Sequence, residues 1–285
     1  MLNGLFSGFM TGTWVEASVM AVVAGIVGFF VVLRGSTFAA HAIPQGAFTG
    51  AAGAALIGAS TFLGVGVFLL VGVIAIAWWG RRGRQDVVVA LCLVTLLAIG
   101  ALFLSMSTGY AEQTFALLFG EPLAVSSADI LPTAILGAAC VAVVVLMYRS
   151  LLLSSVAPEL AAAQGVGPVR IELMFLLAVG AVTTMALPVV GALLVFSLMI
   201  GPPAAARFLT NRPGAALALS AALALVTVWV SIVAAFASNW PIGFFVGGLA
   251  VFWYVAGRLG ALHRLRSAGR AAVPGVNGMR GRVAV

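Results

Sequence analysis

Along most of the chain the apolar residues come in unbroken runs. AVVAGIVGFFVVL, Ala21 to Leu33, is one of them. It does not alternate with polar positions, as the strands of a membrane barrel do. Stretches of about 17 to 25 apolar residues, each long enough to cross a hydrocarbon core of about 30 Å as a helix, recur from end to end. Divided at breakers they predict nine spans, roughly 14 to 33, 37 to 58, 61 to 79, 87 to 106, 130 to 148, 171 to 188, 189 to 206, 214 to 236 and 241 to 257. The sixth and seventh lie in one continuous apolar run, divided near Pro188 because proline breaks or kinks a helix. The expected fold is all-α, a polytopic transmembrane bundle of eight to nine spans. Residues 1–260 form a single membrane domain, and 261–285 a disordered, Arg-rich tail.

Composition agrees with the pattern. The chain is 63% hydrophobic and 7% charged, where soluble proteins carry about a quarter charged residues, so a lipid bilayer must solvate most of it. The basic residues are all arginine and do not form a stripe interleaved with aromatic residues, which sets nucleic acid aside as a partner. With no lysine, the chain has no Walker A phosphate loop. Cys92 and Cys140 lie in apolar spans with no partner at metal or redox spacing and read as packing residues. The opening MLNGLFSGFM lacks the positive region of a secretory signal, so the first span reads as a retained helix.

Charge placement orients the spans. Arg34, Arg81, Arg82, Arg84, Arg149, Arg170, Arg207, Arg212 and the arginines from 258 to 282 fall on one side of the nine-span arrangement. The other side holds Glu16, Glu112, Glu121 and Asp129 and no arginine. Because cytoplasmic loops carry the positive charge, the N-terminus is expected outside and the C-terminus in the cytoplasm. Two long connections, 107–128 outside and 150–170 inside, are candidates for function. No internal repeat is evident.

One span spends polar residues. In GSTFAAHAIPQG, Gly35 to Gly46, the positions of Thr37, His41, Gln45 and Phe48 fall within about 40° of one helical direction. Gly46, Gly50, Ala54 and Gly58 form a small-residue stripe on the other side, suited to close helix approach. Pro44 has no N–H and frees the Ala40 carbonyl beside His41. Imidazole nitrogen with hydroxyl, amide and carbonyl oxygens makes a loose shell for a passing metal ion. The alternative is that His41 only hydrogen-bonds a carbonyl and tightens packing.

Three stretches carry a resemblance. RGSTFAAHAIPQG resembles R-G-x-x-x-x-G-D-x-L-S-H-A-x-L-P-G of the zinc/manganese/iron uptake permeases, with His41 and Ala42 on the His-Ala pair and Gly46 on the closing glycine. LLFGEPLAVSSADI, Leu117 to Ile130, is similar to L-F-G-x-x-L-A-V-x-x-x-D. VVGALLVFSLMIGPPAAARFLT, Val189 to Thr210, resembles V-G-x-L-L-V-x-x-L-L-I-x-P-A-A-x-A. The resemblance covers nearly the whole chain. It implies an ABC importer permease in the plasma membrane, pairing with a second copy of itself, a pair of cytoplasmic ATPases and an extracytoplasmic metal-binding protein. The cargo is Zn²⁺, Mn²⁺ or Fe²⁺, with no cofactor bound by this chain. APELAAAQGVGPVR is similar to the family's cytoplasmic segment, with Glu159, Ala161, Ala163 and Gly165 on its pattern, which would carry ATP-driven movement from the ATPase. An ordinary surface loop is the alternative. The chain departs from the family at Thr37, where an aspartate is expected, and at Pro44-Gln45, where Leu-Pro is expected. Losing the carboxylate removes what best holds a hard ion such as Mn²⁺ and leaves a neutral site, less selective or tuned to softer Zn²⁺.

Of the remaining acids, Glu112, Glu121 and Asp129 can draw cations to the entrance or serve as solvated loop charge. Asp129 sits on the family's position. Glu172, beside Arg170 at a helix start, reads as a dipole or ion-pair residue, Trp240 as an interface anchor and His263 as solvated. No nucleophile motif is present and the chain is not expected to be an enzyme. A permease subunit of an ATP-driven divalent-metal importer is the function expected; a secondary metabolite or drug transporter and a non-transporting membrane scaffold are the alternatives.

Overall fold

A computed structural model describes residues 8–80, 85–106, 118–120, 130–192 and 194–271. Its helices are α1 (Gly8–Arg34), α2 (Thr37–Ile57), α3 (Thr61–Trp79), α4 (Gln85–Ser105), α5 (Ile130–Leu146), α6 (Tyr148–Val156), α7 (Pro158–Ala163), α8 (Pro168–Val190), α9 (Val195–Leu209), α10 (Pro213–Ser238) and α11 (Ile242–Ala271). Among the described residues there is no strand. Each of the nine expected spans contains a helix.

Proline punctuates this chain differently from the expectation. At the first position of α7, α8 and α10 it starts helices, where its missing N–H costs nothing. Pro44, Pro188, Pro202 and Pro203 lie inside helices that continue through them. The division expected at Pro188 therefore falls at Gly191 instead, with φ 82 and ψ 161, a conformation essentially confined to glycine. A Cβ there would run into the Leu118 carbonyl and the Gly120 amide. The span expected at 130–148 bends by 60° between α5 and α6. α11 runs to Ala271, past the boundary expected at residue 260.

Among the described residues, six helices can cross a membrane by length and composition, or seven if α5 and α6 count as one bent span. α2 and α9 fall outside that set. α2 is rich in alanine, glycine and polar residues but is mostly buried inside the bundle, so it has no need to be lipid-soluble. α9 has 15 residues, about 22 Å at helical rise.

Contacts nevertheless sort the helix ends they join into two sets. Arg34, ending α1, bonds to Ser154 in α6 and Glu172 in α8. Arg207 near the end of α9 donates to the Val32 carbonyl, and Arg264 in α11 to that of Leu209. Gly80, following α3, lines the same cleft as Arg34. At the opposite end Ile130 lies over Gly12, Gly120 abuts Val189 and Val190, and Leu194 fills against Gly243. The described arginines 34, 207 and 264 thus share one end of the bundle, as their spacing in the sequence predicts.

Packing divides the helices into two groups. α2, α3 and α4 pack on one another, α1, α9 and α10 do likewise with α11 added against α9 and α10, and α8 bridges both groups. Small residues set these contacts. A Cβ on Gly50 of α2 would run into the Gly64 carbonyl of α3, and one on Gly25 of α1 would meet the α10 backbone at Ala221. Such close approach is how helices associate where lipid removes the hydrophobic drive. Across the second contact Ser220 Oγ donates to the Gly25 carbonyl at 2.6 Å. Gly58, expected in the α2 stripe, instead closes the helix with φ 67 and has open space around it.

Gly50→Ala should lower the stability of the purified chain by about 1–3 kcal/mol through backbone collision, read as thermal unfolding in detergent. Gly66→Ala, with nothing within 4 Å of the added carbon, should not lower it. Equal melting of the two variants would contradict the packing described.

Candidate functional site

Gly35, at φ 70 with open space around it, makes the corner between α1 and α2. Ser36 precedes the first turn without a side-chain capping bond. Successive turns of α2 then place Thr37, His41 and Gln45 on one face. The face descends into the bundle, because Thr37 and His41 are half-buried while Gln45 is 4% and Phe48 3% exposed.

His41 meets an aromatic ring that the sequence did not point to. Its imidazole stands edge-on to Phe196 of α9, with centroids 4.7 Å apart and planes at 64°. Phe196 falls where the resemblance pattern specifies no residue, so no sequence signal marked it. The contact joins the two packing groups across the polar face. One helical turn beyond Gln45, Thr49 Oγ1 lies 2.8 Å from the Gln45 carbonyl and also reaches the Leu96 carbonyl, fixing α2 to α4. Pro44 leaves the Ala40 carbonyl without its helical N–H partner.

The face carries one imidazole, one hydroxyl and one carboxamide, and the released Ala40 carbonyl is next to His41 in the chain. Among the described residues no group of three or more His, Cys, Asp or Glu can hold a metal ion. What α2 offers is a neutral face with one imidazole and few side-chain oxygens. Asp129 lies outside the described residues, as do Glu112 and Glu121; Ile130, next to Asp129, is at the end opposite the arginines.

The other acids have definite places. Glu16 belongs to the end away from the arginines, as expected, but is not solvated: it is 1% exposed and accepts a bond from Thr133 Oγ1 at 3.2 Å. Its position inside a predicted span was the available signal. Glu172 forms an ion pair, and its partner is Arg34 at 2.7 Å rather than the adjacent Arg170. Trp240 is exposed and clusters with Phe244 and Phe245, and His263 is exposed. Of the short pattern at 159–165, Glu159, Ala163 and Gly165 face outward. Ala161 is 2% exposed and lines a cleft of about 390 Å³ with Arg34, Ser154 and Glu172.

Residues 7–259 match the ABC 3 transport family. The chain belongs to the ABC 3 transport family. It is similar to the manganese transport system membrane protein MntC of Halalkalibacterium halodurans, 31% identical over 213 residues that cover 74% of this chain and 73% of MntC. It is also similar to the chelated iron transport system membrane protein YfeC of Yersinia pestis, 28% identical over 217 residues, covering 75% and 73%. Among solved structures, PsaBC from Streptococcus pneumoniae in complex with Fab superposes with a TM-score of 0.79 at 26% identity, covering 90% of this chain and 93% of that one. As an ABC 3 member the chain is a multi-pass membrane subunit of a transporter, and ATP hydrolysis belongs to a separate chain. The secondary-transporter and scaffold alternatives have no support from this placement.

With Cys92 and Cys140 replaced by alanine, His41→Cys should react with a charged, water-soluble thiol reagent. Ala42→Cys, at a position 0% exposed, should stay unlabelled. A silent residue 41 would show that this face of the ABC 3 chain is not reached by water, and equal labelling would show that water access is not confined to it.

Proposed function

We propose that this chain is the permease subunit of an ATP-driven importer that moves a divalent transition-metal ion, Zn²⁺, Mn²⁺ or Fe²⁺, across the plasma membrane. The observation that carries the reading is that the enclosed helix of an ABC 3 bundle, α2, presents one histidine on a half-buried face. The names of MntC and YfeC support a metal cargo.

The ion passes along the α2 face. Neutral His41 offers a nitrogen that binds borderline metals well, and Thr37, Gln45 and the Ala40 carbonyl supply oxygens. None of these is anionic, so the ion is held weakly enough to leave. A second copy of the chain completes the pathway, and a pair of cytoplasmic ATPases drives it through α7. An extracytoplasmic metal-binding protein delivers the ion at the far end, where Asp129 marks the entrance. The end bearing Arg34, Arg207 and Arg264 faces the cytoplasm, since positive charge is retained there. Residues 1–260 act as one permease domain, and the arginine-rich segment after it is its cytoplasmic tail.

The test is metal uptake by the complete complex reconstituted in vesicles, with ATP inside and loaded binding protein outside. His41→Ala should reduce uptake on the order of tenfold, the effect of losing about 1.4 kcal/mol of stabilisation, while ATP hydrolysis continues. Unchanged uptake and selectivity would remove His41 from the pathway and leave the importer assignment standing.

A further inference from the structure

The clearest polar assembly outside the α2 face is at the arginine end, where three elements distant in sequence meet on one side chain. The Arg34 guanidinium donates from Nη1 to Ser154 Oγ at 2.9 Å and from Nη2 to Glu172 Oε2 at 2.7 Å. Its Cζ lies 5.0 Å from the centroid of the Phe175 ring. The Arg34 and Glu172 side chains are only 13% and 20% exposed. A cation this enclosed is costly to separate from its partners, so Arg34 follows them when they move.

Its two sides connect to different parts of the molecule. Ser154 belongs to α6, which runs into α7 through Ala157 alone. Arg34 itself ends α1 and abuts the Gly35–Ser36 corner, beyond which α2 begins. α1 is fixed by its packing on α9 and α10, where Gly28 and Gly25 meet backbone. The corner turns at Gly35, which takes φ 70 without strain, and the Ser36 N–H bonds back to the Val31 carbonyl at 3.1 Å, so α2 starts directly from the end of α1. The cleft of about 390 Å³ lined by Ala161, Ser154, Glu172 and Arg34 gives α7 room to be pressed toward the bundle; closely packed interiors lack such room.

We infer that Arg34 is the positioning residue that carries movement of α6 and α7 to the Gly35 corner, and so turns α2 against α9 at the His41–Phe196 contact. The inference rests on the importer reading above. Pressing α7 inward shifts Ser154. Arg34 moves with it while Glu172 keeps the charge paired, and the corner rotates the α2, α3 and α4 group relative to the α1, α9, α10 and α11 group. His41 and Phe196 belong to opposite groups, so their contact opens or closes with that rotation. Arg34 touches no ion and acts only through α2.

The test uses the complete importer in vesicles and reads ions taken up per ATP hydrolysed. Arg34→Gln and Ser154→Ala should each lower that ratio, by about fivefold for Arg34→Gln, with hydrolysis continuing. Arg34→Lys, which keeps the charge on Glu172 but not the planar fork, should recover part of the loss. A ratio unchanged in both variants would overturn the inference. So would uptake and hydrolysis falling in parallel, the mark of a merely structural role. If Arg34→Gln does not assemble, Ser154→Ala decides alone. Absence of ATP-driven metal uptake by the unmodified complex would instead sink the importer reading.

Discussion

Gly50 of α2 lies against the Gly64 carbonyl of α3 with no room for a side chain between them. Much else depends on that closeness. In a bilayer, association of helices gains nothing from leaving lipid, so contact must come from backbones that approach closely and from hydrogen bonds between them. Here the two glycines, together with Thr49 reaching the Leu96 carbonyl, hold α2 inside the bundle. A helix held there can carry histidine, glutamine and an internal proline along its middle. The polar face exists because the opposite face is nearly featureless.

Much of the architecture was legible in the chain because lipid imposes a simple rule, that a spanning segment must be a long apolar helix. The rule located nine helices and, through arginine placement, which helix ends lie together. It failed where local chemistry overrides hydropathy. Pro188 looked like the break, yet the neighbouring helices tolerate it, and the chain turns at Gly191 because only glycine takes that conformation. The bend between α5 and α6 left no comparable mark. Gly58 matched the spacing of the packing stripe but serves to end α2.

The candidate site was legible along one helix and illegible across helices. Periodicity places Thr37, His41 and Gln45 on a common face without knowledge of the fold. Phe196 comes from another helix and has no signature, since an aromatic residue in an apolar span is unremarkable. Arg34 and Glu172 stand 138 positions apart, and the nearer Arg170 was the natural partner to expect. Glu16 was visible as an acid inside a span, but its burial against Thr133 follows from how α1 meets α5.

The account turns on whether the transported ion touches the α2 face. Thr37 opens that face in the half-buried turn before His41, where the pattern that the chain resembles has aspartate. The most direct measurement is the ratio of Mn²⁺ to Zn²⁺ taken up by the reconstituted complex carrying Thr37→Asp. A carboxylate at that position should raise the ratio on the order of tenfold, since it favours the harder ion. A variant that assembles, transports and shows the unmodified ratio would contradict the placement of the ion pathway along Thr37, His41 and Gln45.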